Sequence, residues 1–237
     1  MTGFILALQF LTRLPTPRVK ADADAFAGSM RWFPAAGLIV GLIVAGAAWM
    51  GALIDPWTGA LAALVAWVAV TGALHLDGLS DLADATGAAH KHRDRLLAVM
   101  ADPHVGSFGV VAIVLQLIAK AVLLQGLIAA TAFPALILIP FAARIGPLVW
   151  ARWLPPLHDG LGARFASVTL TRDIFGWAAV LATTALITPA ILIAPLLIGG
   201  WWLWLRRLGG VSGDCHGAGI ELVETGLLAA LLVASRF

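Results

Sequence analysis

The chain has 237 residues, of which 61% are hydrophobic and only 12% charged, and its mean hydropathy is +0.95. A soluble globule of this size needs more polar surface, so the composition excludes a soluble domain and predicts a membrane protein. The net charge of +2 does not indicate nucleic-acid binding, because membrane topology and anionic lipid head groups account for the basic residues. With one cysteine, Cys215, the chain has neither an intramolecular disulfide nor a cysteine-rich metal site.

The first apolar segment, residues 3–14, is short, is followed by Pro15 and Pro17, and lacks a small-residue cleavage site. It predicts an interfacial helix rather than a signal peptide. Longer apolar stretches follow, each near the roughly 20 residues that cross a bilayer as a helix. They cover residues 33–54, 57–76, 107–130, 133–153, 174–205 and 217–233.

Residues 174–205 would form a helix about 48 Å long, too long for one span, and Thr188-Pro189 lies near their middle. We therefore interpret this stretch as two short spans. No alternation typical of strands appears. The sequence predicts one integral-membrane domain over residues 1–237, an all-α polytopic bundle of about seven transmembrane helices plus the N-terminal interfacial helix.

Basic residues cluster in alternate loops, and such loops face the cytoplasm. The loops before the first long span and after the second, fourth and sixth spans are therefore predicted to be cytoplasmic, and only Arg236 lies on the other side. The clusters are Arg13, Arg18, Lys20 and Arg31; Lys91, Arg93 and Arg95; Arg152, Arg164 and Arg172; Arg206 and Arg207.

Three aspartates, Asp77, Asp81 and Asp84, follow one another at i, i+4 and i+7 at the end of the second span. This spacing puts them on one helical face, where like charges repel and no cation at i+4 neutralises them. A bound cation explains them, and Mg²⁺ suits them because it takes oxygen ligands, usually one or two carboxylates with substrate phosphates. Zinc would need His or Cys ligands, and His75 projects from roughly the opposite side of the helix.

Residues 84–100 predict an amphipathic surface helix whose inward face carries Leu96, Leu97, Val99 and Met100. After it, Asp102 either caps the third span or completes the cation site. Ser107 and the free backbone N–H groups of the next turn favour an anion such as phosphate.

A glycine-rich loop, residues 209–219, precedes two acidic residues inside the last span, Glu221 and Glu224. Glycines permit close backbone approach, although the pattern matches neither a P-loop nor a dinucleotide fingerprint. Buried without partners, the two glutamates would be protonated or would coordinate a ligand. Asp214 lies in the loop, and His216 is a candidate proton carrier, although a lone histidine is more often structural.

Arg144 lies in the apolar run 133–153 and requires an anionic partner. Either a buried glutamate or a substrate phosphate would serve. Clustered acids at one membrane face, glycine turns and a few cations together favour a Mg-bound diphosphate attacked by an alcohol, with a carboxylate accepting the hydroxyl proton. A transporter is the alternative, but the chain has no convincing internal repeat.

Several segments resemble one family, the cobalamin synthases, which are adenosylcobinamide-GDP ribazoletransferases. The longest is His-Leu-Asp-Gly-Leu-Ser-Asp-Leu-Ala-Asp at residues 75–84, and the resemblance runs from Leu11 to the last span. The other matching segments are Phe-Pro-Ala-Ala-Gly at 33–37, Met-Ala-Asp at 100–102, Val-Gly-Ser-Phe-Gly at 105–109, and Gly213-Asp214 with Gly217-Ala218 and Glu221 and Glu224.

The resemblance implies a multi-pass inner-membrane enzyme of cobalamin nucleotide-loop assembly, with its active-site loops facing the cytoplasm. It would join α-ribazole or its 5'-phosphate to adenosylcobinamide-GDP, release GMP and require Mg²⁺, while a homo-oligomer and association with other nucleotide-loop assembly enzymes stay open. The general base is left unassigned. The alternatives are a membrane transporter of cations or corrinoids and another membrane enzyme similar to the CDP-alcohol phosphotransferases. The implied metal ligands are Asp77, Asp81 and Asp84; the catalytic candidates are Asp81, Asp84 and Asp102; the substrate-binding candidates are His75, Ser107, Arg144, Asp214, Glu221 and Glu224.

Overall fold

The computed structural model describes residues 2–88, 93–100, 102, 104–158 and 160–236. Within these ranges the chain is helical and forms no strand, apart from one isolated bridge between Pro156 and Val211. The helices are α1 (Thr2–Leu11), α2 (Ala23–Ala27), α3 (Phe33–Ala52), α4 (Pro56–Thr71), α5 (Leu74–Ala88), α6 (Arg93–Met100), α7 (Ser107–Ala129), α8 (Phe133–Ala143), α9 (Gly146–Trp153), α10 (Leu161–Val168), α11 (Thr171–Thr184), α12 (Ala194–Leu208) and α13 (Gly213–Ala234), with 3₁₀ turns at Gly28–Trp32 and Pro189–Ile193.

The described residues contain five helical stretches long and apolar enough to cross a bilayer, or six if α4 and α5 count as one bent span. This confirms an all-α polytopic bundle, although the number is below the predicted seven. The difference is α11, whose 14 residues extend about 21 Å, less than the roughly 30 Å of hydrocarbon. The five stretches are Ala23–Ala52, Ser107–Ala129, Phe133–Trp153, Pro189–Leu208 and Gly213–Ala234.

The segment between α9 and α13 leaves one end of the bundle and returns to it. Val211 N–H donates to Pro155 O at 2.9 Å, and Leu157 N–H donates to Val211 O at 2.9 Å. Because these residues are in direct contact, the loops before α10 and after α12 lie at the same end of the bundle. The chain between them therefore turns back on itself, and the break at Thr188-Pro189 is where the sequence predicts it.

The predicted second span, 57–76, ends earlier than expected. α4 stops at Thr71, and Gly72 and Ala73 adopt positive φ angles of 62° and 59°. The chain then bends by 84° into α5. Apolar residues continue through the bend, so hydropathy alone did not reveal it, and α5 carries the aspartates away from the axis of α4.

The predicted surface helix 84–100 is divided between the end of α5 and α6. Residues 89–92, which include the predicted loop residue Lys91, lie outside the described residues. The apolar face is where the sequence placed it, because Leu96 is buried against Ala85 and the neighbouring apolar side chains of α6 pack around them.

Helices α3 and α8 approach closely along a pair of glycines one turn apart. A methyl group at Gly37 would overlap the carbonyl oxygen of Pro140, and one at Gly41 would overlap that of Ile137. Small residues with this spacing let membrane helices pack backbone against backbone. By contrast, a methyl at Gly46, on the same helix, meets nothing within 4 Å.

We expect Gly41→Val to lower the free energy of unfolding by about 1–3 kcal/mol, because the added side chain forces α3 and α8 apart. Gly46→Val is the matched control, with the same substitution in the same helix but open space around it. Unfolding in detergent micelles, followed by circular dichroism, measures both. Equal destabilisation by the two variants would contradict the close-packing explanation.

Candidate active site

The acidic residues of two distant segments meet where α5 packs against α13. Asp214 lies in the first turn of α13, and its backbone faces Gly78, where an added methyl would lie 2.9 Å from the Asp214 Cα. Glycine at 78 therefore permits this approach. Asp77, Asp84 and Asp214 all lie near enough to Asp81 to repel its negative charge. The aspartates of α5 and the acidic residue at the start of α13 therefore share one site.

The three aspartates of α5 do not share one environment. Asp77 is exposed, Asp81 is half-buried and Asp84 is buried. The Asp84 carboxylate accepts hydrogen bonds from Gly106 N–H at 2.7 Å and Gly109 N–H at 2.9 Å, at the start of α7. Asp84 therefore caps α7, a role that the sequence left open for Asp102.

Asp102 lies apart from this cluster. Its carboxylate accepts a hydrogen bond from His104 N–H at 3.0 Å and contacts His104 Nδ1 at 2.7 Å. These hydrogen bonds hold the pKa of the exposed Asp102 below its ordinary value. Ser107 is also exposed, and two N–H groups of the turn predicted to bind phosphate instead donate to Asp84.

The donor set at the cluster fits a magnesium ion that shares its coordination with a substrate. Among the described residues, no three Asp, Glu, His or Cys side chains are placed to hold a metal by themselves. Mg²⁺ commonly takes one or two carboxylates and completes its shell with water and phosphate oxygens. Asp77 and Asp81, one turn apart on α5, meet that requirement, whereas both oxygens of Asp84 already accept backbone hydrogen bonds.

A cavity of about 190 Å³ lies between α5, α13 and the N-terminal helix. Asp77 and Asp214 line it, together with His75 and His216. His75, expected on the opposite side of α5 from the aspartates, therefore faces the same cavity as Asp77. The apolar part of the lining includes Phe10, Leu11, Phe33, Leu74, Pro147, Phe165 and Ile220.

Deeper in the bundle, α7, α8 and α13 share a buried network of ion pairs. Lys120 Nζ lies 2.7 Å from Glu221 Oε2 and 2.6 Å from Glu224 Oε2, and Arg144 Nη1 lies 2.8 Å from Glu224 Oε1. Gln116 Nε2 donates to Glu221 Oε2 at 2.8 Å. The network contains two positive and two negative side chains, and each of these four has an oppositely charged partner in the interior.

This network decides between the alternatives left open for Arg144. Its anionic partner is a buried glutamate, Glu224, and both glutamates have cationic partners. None of Arg144, Glu221 and Glu224 lines the cavity. No contact with the cavity supports their predicted part in substrate binding. Their ion pairs instead hold α7, α8 and α13 together next to the site.

Sequence reasoning missed Lys120 and Gln116. A signal was present, since the two polar residues stand at i and i+4 on one face of an apolar span, as Glu221 and Glu224 stand at i and i+3 on one face of another. The network also reaches the cavity wall, because Arg144 Nη2 lies 3.4 Å from His75 Nδ1. Since guanidinium only donates, this contact makes Nδ1 the acceptor and leaves the proton on Nε2.

Residues 3–232 match the family described as cobalamin-5-phosphate synthase. A relative from Novosphingobium aromaticivorans is 66% identical over 98% of this chain and 97% of its own, and one from Thiobacillus denitrificans is 52% identical over 99% and 95%. A more distant relative from Brevibacillus brevis is 36% identical over 98% of both chains. All three are named adenosylcobinamide-GDP ribazoletransferase.

No solved structure matches this chain. The family match covers both acidic clusters, the cavity and the buried ion network. The chain therefore belongs to the cobalamin-5-phosphate synthase family of membrane enzymes.

Proposed function

We propose that the protein is an adenosylcobinamide-GDP ribazoletransferase that requires Mg²⁺ and works at the inner membrane. The observation that carries the proposal is that Asp77 and Asp214 line one cavity, with Asp81 close to both, in a chain of this family. A secondary ribose hydroxyl of α-ribazole, which stays free when the 5' position carries a phosphate, forms a bond through its oxygen to the phosphorus that bears the cobinamide. The bond from this phosphorus to the oxygen of GMP breaks, and GMP leaves.

Asp77 and Asp81 would hold Mg²⁺ against the diphosphate. When bound, the ion neutralises phosphate charge and favours departure of GMP. We assign acceptance of the hydroxyl proton to Asp214, which lines the same cavity as Asp77 from another helix. Asp84 and Asp102 are less suited to this step, because neither lines the cavity and both oxygens of Asp84 accept backbone hydrogen bonds.

The predicted topology supports a cytoplasmic site, because basic residues favour that side for the loops that carry the aspartates. The substrate is then soluble in the same compartment. α-Ribazole 5'-phosphate is the alternative acceptor, and its phosphate would add negative charge beside three carboxylates. On this ground we expect α-ribazole to be the preferred acceptor.

The test is GMP release by membranes that contain the protein. With adenosylcobinamide-GDP, α-ribazole and Mg²⁺, we expect stoichiometric GMP and adenosylcobalamin, and neither product after addition of a chelator. Comparing kcat/KM for α-ribazole and its 5'-phosphate ranks the two acceptors. Equal GMP release with and without the chelator would rule out the magnesium requirement, and transport of a corrinoid without GMP release would rule out the transferase.

A further inference from the structure

Two buried histidines that line the cavity, His75 and His216, have ring nitrogens without a hydrogen-bond partner among the described residues. The side chain of His75 is 3% exposed and that of His216 is 6% exposed. Within the described part of the chain, His75 Nε2 and both ring nitrogens of His216 have no hydrogen-bond partner. Buried polar groups are nearly always satisfied, so an unsatisfied pair beside a cavity calls for a ligand.

Aromatic rings also line the cavity. Phe10 stacks on Phe33 with ring centroids 5.8 Å apart, and Phe165 packs edge-on against Phe33 at 5.8 Å. All three line the cavity. His216 is itself stacked on Trp150, with ring centroids 6.0 Å apart. An occupant therefore meets apolar rings together with one or two hydrogen-bonding nitrogens.

We propose that this cavity binds the benzimidazole base of the nucleoside acceptor, with His216 donating a hydrogen bond to the unsubstituted ring nitrogen of the base. This inference rests on the proposed function. The ribose then points toward Asp214, which also lines the cavity, and its reacting secondary hydroxyl reaches the diphosphate held at Asp77 and Asp81.

Other occupants fit less well. A lipid acyl chain would leave the imidazole nitrogens unsatisfied. A guanine base needs several hydrogen-bonding partners along its edge, whereas a benzimidazole offers a single nitrogen and otherwise apolar atoms. A corrinoid is far larger than the 190 Å³ cavity, which is also smaller than the roughly 300–1,000 Å³ of pockets that enclose whole drug-sized ligands.

The first test compares α-ribazole with the matching indole riboside, in which C–H replaces the unsubstituted nitrogen. Equilibrium dialysis against the purified full-length protein in detergent measures both dissociation constants. We expect the wild type to bind α-ribazole about 10-fold more tightly than the indole riboside, and His216→Phe to bind both equally weakly. Phenylalanine keeps the ring on Trp150, and His216→Asn, which retains a donor, should recover part of the preference.

The second test fills the cavity without touching a histidine. Gly213 lines the cavity, and a methyl there meets nothing within 4 Å. We expect Gly213→Leu to weaken binding of both ribosides by about 10-fold or more, with binding of adenosylcobinamide-GDP unchanged. Gly200→Leu is the matched control, since Gly200 lies on α12 and is equally open.

The outcomes separate this inference from the proposed function. Wild-type GMP release combined with unchanged nucleoside binding in His216→Phe and Gly213→Leu would overturn the base-binding cavity alone. A loss of adenosylcobinamide-GDP binding in Gly213→Leu, with α-ribazole binding intact, would assign the cavity to the other substrate and also overturn it. If the wild type releases no GMP, both the function and the inference fail.

Discussion

Asp77→Asn and Asp81→Asn each lower kcat/KM for GMP release by about 100- to 1,000-fold, because each removes a carboxylate from the proposed magnesium ligands. Both substitutions keep the size of the side chain and remove only its charge. Asp77 is exposed and Asp81 is half-buried, so the variants should insert and unfold like the wild type. Asp24→Asn is the matched control, the same change at an exposed position on α2.

A change of metal preference separates metal binding from other roles of these carboxylates. Thiolate is a soft ligand, so Asp77→Cys should be poorly active with Mg²⁺ and should recover activity with the softer ion Cd²⁺. The wild type should show the opposite preference. Asp214→Asn should also lose activity, but its metal preference should not change, because Asp214 is proposed to accept a proton. If Asp77→Cys keeps the wild-type preference, the metal assignment is wrong.

The aspartates show what sequence can predict and where it stops. The spacing of Asp77, Asp81 and Asp84 is local, so helical periodicity predicts their common helix correctly. The partners of Asp84 are 22 and 25 residues away and become neighbours only when α7 packs on α5. That Asp84, and not Asp102, caps α7 therefore depends on tertiary packing and could not be predicted from local sequence.

The same limit explains the spans. Hydropathy locates the apolar segments, but it does not register the positive φ angles at Gly72 and Ala73 that separate α4 from α5. It also does not reveal Lys120, because one basic residue hardly changes the mean over 23 residues of α7. Pairing the polar residues of separate spans with one another is the additional step that would have predicted the buried network.

Arg144→Met should lower the free energy of unfolding by about 3–5 kcal/mol, because it leaves Glu224 buried with an excess of negative charge. Arg144 is fully buried and its guanidinium also donates to Pro140 O at 3.0 Å, so no water is available to replace it. Unfolding in detergent micelles, followed by circular dichroism, gives the change. Arg207→Met, at an exposed position of α12, is the control and should leave the free energy unchanged.

A second substitution, Glu224→Gln, tests whether the loss of stability in Arg144→Met comes from the unbalanced charge of Glu224. In Arg144→Met with Glu224→Gln, one positive and one negative charge are removed, and Lys120 keeps Glu221 as its ion-pair partner at 2.7 Å. The double variant should therefore lose less stability than the sum of the two single variants, by about 1 kcal/mol or more. Additive losses would mean that Arg144 and Glu224 act independently, contrary to their contact. Because Arg144 also contacts His75 on the cavity wall, the double variant should regain stability without regaining full affinity for the nucleoside.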